Sequence, residues 1–366
     1  MTVHADTAVR IPPVARAPKV LQGIGYGFFR RQTIGLLTAR HGSAFTIRVP
    51  VFGNMVVVTD PALAKQVFTA STDDLGNIQP NLSRIFGPGS VFALEGSEHR
   101  RRRKILTPPF HGKAMKNYER IVEEETARET ASWAPGPSAH EIETLEPMMR
   151  ITLNIILRAI FGADGTSLET LQRIIPPWVT LGSRLAVLPT PTRTFGTWTP
   201  WGRLAAYRRD YNAVVDQLIE AARKDPAFDQ RTDVLALLLR RTYEDGTPMT
   251  RSEIGDELLT LLAAGHETTA STLAWSFERI SRHPTVLQGL VTEAEDDGNE
   301  YRQAVILEVQ RNRTVIDFAG RHVLAPVFEL GDFLIPQGYS VSVAIGQVHG
   351  NADEFPCTCP IATLTE

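Results

Sequence analysis

Residues 264–269, Ala-Gly-His-Glu-Thr-Thr, place a glycine, an acid and two hydroxyls within six positions of a helix-forming run from about Arg251 to Arg282. Glycine inside a helix costs about 1 kcal/mol against alanine, so Gly265 predicts that something flat lies close to the helix backbone. Gly265, Thr268, Thr269 and Thr272 stand at i, i+3, i+4 and i+7, which sets them on one face. Threonine hydroxyls in mid-helix can bond back to carbonyls and open a bend that a dioxygen or a water fits. Glu267 lies about 100° further round the helix, where it can carry protons between Thr268 and solvent. The bland alternative is a crossing point, with small residues admitting a neighbouring helix. His266-Glu267 does not begin a zinc-protease motif, because Ala270 stands where the second histidine is needed.

A second group of residues could hold an anion. His99-Arg100-Arg101-Arg102-Arg103-Lys104 is a basic run, and on a helix His99 and Arg103 point the same way. Such a pair can grip two carboxylates, the arginine by a bidentate contact and the histidine by one bond. One short run in a chain of net charge −3 does not make a nucleic-acid surface; otherwise it is a solvated basic face. Glu308 and Arg311 have the i, i+3 spacing of a helix ion pair, a weak signal that Glu125 and Arg128 repeat.

The elements that position these residues are mostly helices. Residues 44–58 alternate about Phe52-Gly53-Asn54 and predict a β-hairpin, after which Pro61 opens a short helix. Residues 98–132 read as charged helix broken at Pro108-Pro109 and Gly112. Residues 141–161 carry a buried stripe through Leu145, Met148, Met149, Leu153, Ile156 and Ile160. A Pro- and Trp-bearing loop at 186–202 precedes helices at about 203–223 and 232–242, then the long helix and another at 300–312. A strand follows at 338–345. There is no internal repeat, and no apolar run reaches the ~18–20 residues that cross a bilayer. The N-terminus has no apolar core and is not a secretory signal. Two cysteines, Cys357 and Cys359, cannot build a disulfide framework and suit a reducing cytoplasm.

Taken in order, four segments resemble the cytochrome P450 family: the Ala264–Thr269 hexapeptide, the His99–Arg103 pair with Pro108-Pro109-Phe110 after it, Glu308-Val-Gln-Arg311, and the stretch from Gly338 to Phe355 with His349, Asn351, Asp353 and Phe355. The resemblance covers about residues 20–356 and is of the bacterial, soluble type. It implies a mainly α fold with a small β region in a single domain, residues 1–366. It implies a haem b cofactor, with His99, Arg103 and Arg321 toward the propionates and Gly265 beside the haem. Glu267 and Thr268 would then be catalytic, and Glu308–Arg311 a structural ion pair. Thr314 departs from the family, which often has proline there.

The activity implied is hydroxylation of a small apolar substrate with dioxygen and electrons from a ferredoxin or flavoprotein reductase. The expected pocket segments are about 75–95 and 180–200. After Pro356 the resemblance stops, short of the glycine-rich loop that presents the family's haem-ligand cysteine. Cys357 and Cys359 lack such a loop, so neither is expected to bind metal, and the chain is expected to be truncated at its C-terminus. The competing expectations are a catalytically inactive truncated or frameshifted remnant and a non-enzymatic small-molecule binding protein.

Overall fold

The computed structural model describes residues 10–50, 52–78, 85–111, 113–133, 142–185, 191, 193, 196–296 and 298–351. Along the chain come α1 (Lys19–Phe28), α2 (Arg30–His41), β1 (Ala44–Val49), β2 (Gly53–Val58), α3 (Pro61–Thr69), β3 (Leu75–Asn77), α4 (Gly96–Leu106), α5 (Lys113–Thr130), α6 (Leu145–Ala159) and α7 (Gly165–Leu185). Then follow α8 (Pro200–Lys224), α9 (Val234–Arg240), α10 (Arg251–Ser281), α11 (Pro284–Glu295), α12 (Glu300–Asn312), β4 (Ala319–Val323), β5 (Val327–Leu330), β6 (Phe333–Pro336), β7 (Ser340–Val343) and α13 (Ile345–Val348). The fold is mainly helical with a small sheet region, as the patterns predict.

Two compact units divide the chain: residues 1–78 with 279–366, and residues 79–278. The first holds a five-stranded sheet of order β1-β2-β7-β4-β3, in which β2 and β7 run parallel and the other pairs antiparallel. Its interior strand β2 reads Met-Val-Val-Val at 55–58 because both faces are covered. Val56 and Val58 pack with Val67, Val323 and Val341 on one side. Met55 and Val57 pack with Tyr26, Ile34 and Phe45 on the other. Gly53 begins β2 at φ +67°, so the hairpin turns just before it rather than around it.

The second unit is a helical body around Leu157, Leu171, Ile175, Tyr211, Ile219, Leu235, Leu258 and Leu262, all fully or almost fully buried. Each such aliphatic side chain stabilises the fold by about 1.5–3 kcal/mol. Helix starts follow from local chemistry: Pro200 stands in the first turn of α8 while the Thr199 hydroxyl accepts from Gly202 N–H at 3.1 Å. That cap starts α8 three residues ahead of its expected position and ends the Pro/Trp loop at Thr199. Helices α1, α2, α7 and α11 and strands β3 to β6 carry weak sequence patterns and are additions to the expected elements. In α7 the cause is plain, since Pro176 and Pro177 lie inside the helix.

Candidate active site

The 31-residue helix α10 carries the hexapeptide, and its faces have different neighbours. Leu258, Leu262, His266, Ala270 and Ala274 form a buried stripe at i+4 spacing. Ala270 and Ala274 pack on Met148 and Ile151 of α6. His266 is 2% exposed and its Nδ1 lies 3.0 Å from the Thr152 hydroxyl. Burial pushes its imidazole down to about 4, so the ring is neutral near pH 7. One residue round the helix, Leu261, Gly265, Thr269, Leu273 and Phe277 line an apolar cavity of about 730 Å³ with α5 and α6.

Gly265 therefore faces a helix. A Cβ there would lie 3.0 Å from Ile156 Cδ1, tight enough that the neighbour must yield. The room its missing side chain leaves is occupied by α6, which is the crossing-point geometry. Thr268 points elsewhere, and its hydroxyl donates to Ala264 O at 2.5 Å. Thr272 and Ser276 repeat that bond to Thr268 O and Thr272 O at 2.9 and 2.8 Å. Glu267 is half-buried and burial raises its carboxyl above the usual carboxylate range, which favours the protonated form. The structure thus brings Glu267 and Thr268 onto one turn of helix, apart from the cavity that Gly265 and Thr269 line.

The basic run on α4 sorts itself by partner. Arg101 pairs with Asp245, Lys104 with Glu244 at 2.6 Å, and Arg102 with Glu253 and Glu257. His99 and Arg103 make no ion pair with the described residues. Partial burial, then the Arg103 and Arg100 charges, lower the His99 imidazole. Arg103 is thus a guanidinium without an ion-pair partner among the described residues, and His99 stands one turn away as an imidazole able to give one hydrogen bond.

In the sheet-bearing unit, Arg311 binds Glu308 through two bonds of 2.7 Å and donates to His349 O at 2.7 Å. Thr314, where the family often has proline, has its hydroxyl 3.0 Å from His349 Nδ1. Arg321 lies in β4 opposite Asn77 and Val341, and its Nη1 donates to Gly320 O at 2.9 Å. Cys357, Cys359, Asp353 and Phe355 lie outside the described residues. Among the described residues no cluster of His, Cys, Asp or Glu could hold a metal ion, and no helix is long and apolar enough to cross a membrane.

Sequence reasoning passed over Asp256 and Glu257, both fully buried on α10. Their signal was two adjacent acids inside the apolar stretch 254–262. Their partners, Arg208 and Arg102, lie far off in sequence and could not be matched to them by spacing.

Comparison with known proteins identifies the family and the fold. The family model described as Cytochrome P450 matches residues 29–357. A Mycobacterium tuberculosis protein designated cytochrome P450 138 is 62% identical over 352 residues, covering 96% of this chain and 79% of its own. Another from that organism, designated cytochrome P450 135B1, is 35% identical over 97% of this chain and 76% of its own. A solved structure, retinoic acid bound cyanobacterial CYP120A1, shares the fold with a TM-score of 0.80 over 95% of this chain and 80% of its own, at 22% identity. The chain belongs to the cytochrome P450 family.

Proposed function

We propose that this chain is a haem-dependent monooxygenase that hydroxylates a small apolar organic substrate, using dioxygen and electrons from a ferredoxin or flavoprotein reductase. The observation that carries the proposal is the pair His99 and Arg103 on α4, neither of which makes an ion pair with the described residues. His99 and Arg103, one turn apart, fit the two carboxylates of a haem, while Arg101, Arg102 and Lys104 are committed to protein acids. Bound haem supplies iron chemistry that reduces dioxygen and inserts one oxygen atom into a C–H bond. This chain's own residues bind, orient and protonate. Arg103 and His99 hold the propionates, and Arg321 is a further cation of the same kind on β4.

Partial burial raises the Glu267 carboxyl above the usual carboxylate range, which favours its protonated form. The Thr268 hydroxyl donates to Ala264 O, so a relay from Glu267 would require it to take the incoming proton on a lone pair while turning its own from Ala264 O toward a bound water that accepts it. Gly265 acts indirectly, letting α10 lie against Ile156 so that the turn bearing Glu267 and Thr268 is held in place. Haem titrated into the purified chain is expected to bind, read as a growing Soret band, and to bind more weakly to Arg103→Ala. Failure to take up haem at all would sink the enzyme reading and leave the small-molecule binding protein.

A further inference from the structure

The segment 86–93 crosses the N-terminal half of α10 with bare backbone. Gly87, at φ +99°, and Gly89 both face the Asp256 carboxylate, and a Cβ on either would crowd it. Polar groups hold the segment down. Gly89 N–H donates to Asp256 Oδ2 at 2.8 Å, and Arg208 of α8 clamps Phe86 O at 3.0 Å while pairing with Asp256 Oδ1. Arg102 of α4 donates to Gly89 O, and the Thr260 hydroxyl lies 2.7 Å from that of Ser90.

The charges in this cluster do not balance. Two guanidiniums, Arg102 and Arg208, face three carboxyls on α10: Glu253, Asp256 and Glu257. The remaining titratable neighbours are Tyr243, whose hydroxyl lies between Arg102 and Glu253, and Tyr211 beside Arg208. Asp256 has both oxygens bonded. Glu253 also has both, to Arg102 and Tyr243 on one side and to Thr250 N and Oγ1, at 2.7 and 2.9 Å, on the other. Glu257 is 0% exposed, and only its Oε1 is answered, by Arg102 at 2.8 Å. The Val91 amide bears on this carboxyl, yet Oε2 has no hydrogen-bond partner among the described residues. An ionised carboxylate with a bare oxygen in such surroundings is costly, and a proton on Oε2 removes the surplus charge.

We propose that Glu257 is a proton-operated latch for segment 86–93: protonated, it lets the segment close on α10, and ionised, it releases it. The latch requires neither haem nor turnover, so it stands or falls apart from the monooxygenase reading. Within that reading, the segment belongs to the stretch expected to line the substrate pocket, and pH would then set access to it.

The sign follows from the proton count. Burial pushes the Glu257 carboxyl up to about 7, whereas in the released segment it returns toward its ordinary value of 4.5. The closed state binds the proton more tightly, so closure is strongest below the ordinary value and weakens as pH rises through about 7. Between pH 6 and 8 the opening equilibrium rises about tenfold.

Hydrogen exchange of the full chain at pH 6, 7 and 8, corrected for base-catalysed intrinsic exchange, tests this. Amides of 86–93 should lose about tenfold in protection across the range, while those of α6 hold constant. E257Q keeps the Arg102 bond and removes the titration, and its profile should be flat. A wild-type segment that tracks α6, or an E257Q segment that keeps the slope, overturns the latch. Should E257Q not fold, the wild-type comparison with α6 decides by itself.

Discussion

Gly265 and Arg103 separate what a residue type suggests from what its neighbours permit. In Gly265→Ala a helix-propensity gain of about 1 kcal/mol opposes an overpacking cost of about 1 kcal/mol against Ile156. Urea unfolding should therefore register little change. Haem uptake should be equally unaffected, because the new methyl points at α6; a large fall in uptake with stability intact would restore the direct haem role. Arg103→Ala removes a charge-assisted contact worth about 1.5–3 kcal/mol, so haem should dissociate about 10- to 100-fold faster with the melting temperature unchanged. Equal haem retention in wild type and variant would remove Arg103 from the site. His99 and Arg103 were legible in the sequence because an i, i+4 pair is a local fact. Asp256 and Glu257 were not, because the burial of an acid depends on cations that the chain delivers from residues 102 and 208.

At the scale of elements, Glu257 and His266, among the buried titratable side chains of α10, have linkages that oppose each other. The histidine, lowered from 6.5 to about 4, binds fewer protons in the folded state; its contribution is present above 6.5 and lost as pH falls through 4. The carboxyl, raised from 4.5 to about 7, does the reverse, and its contribution is lost as pH rises through 7. Each amounts to about 3 kcal/mol over its window, so their opposite pH slopes nearly cancel between pH 4.5 and 6.5. Denaturant titrations should show E257Q gaining stability across that window and H266Q losing it, with the wild type between them. Parallel profiles in the two variants would exclude this opposition. Long helices such as α10 and α12 were readable to within a residue, since their periodic patterns run for several turns. Strands β3 and β4 are three and five residues long and owe their pairing to partners elsewhere in the chain, whereas β5 and β6 are four-residue strands that pair with each other across Gly331-Asp332 and are too short to stand out by alternation.

For the whole molecule, family membership was legible from four short segments in order, and the 62% identity to a mycobacterial relative makes it plain. The division into two compact units was not, because one of them is assembled from both ends of the chain. Its sheet joins β2, which ends at Val58, in parallel to β7, which begins at Ser340. This ordering has a consequence for biosynthesis. At about 5–20 residues per second a ribosome needs roughly 15–60 s to extend the chain from one strand to the other. Throughout that time the β1–β2 hairpin, marginal in isolation, has an apolar strand with one unpaired edge. The helical unit is encoded wholly within that interval and can fold while the sheet waits. The free edge of β2 is thus the part of the growing chain most open to wrong pairing until its distant partner strand arrives.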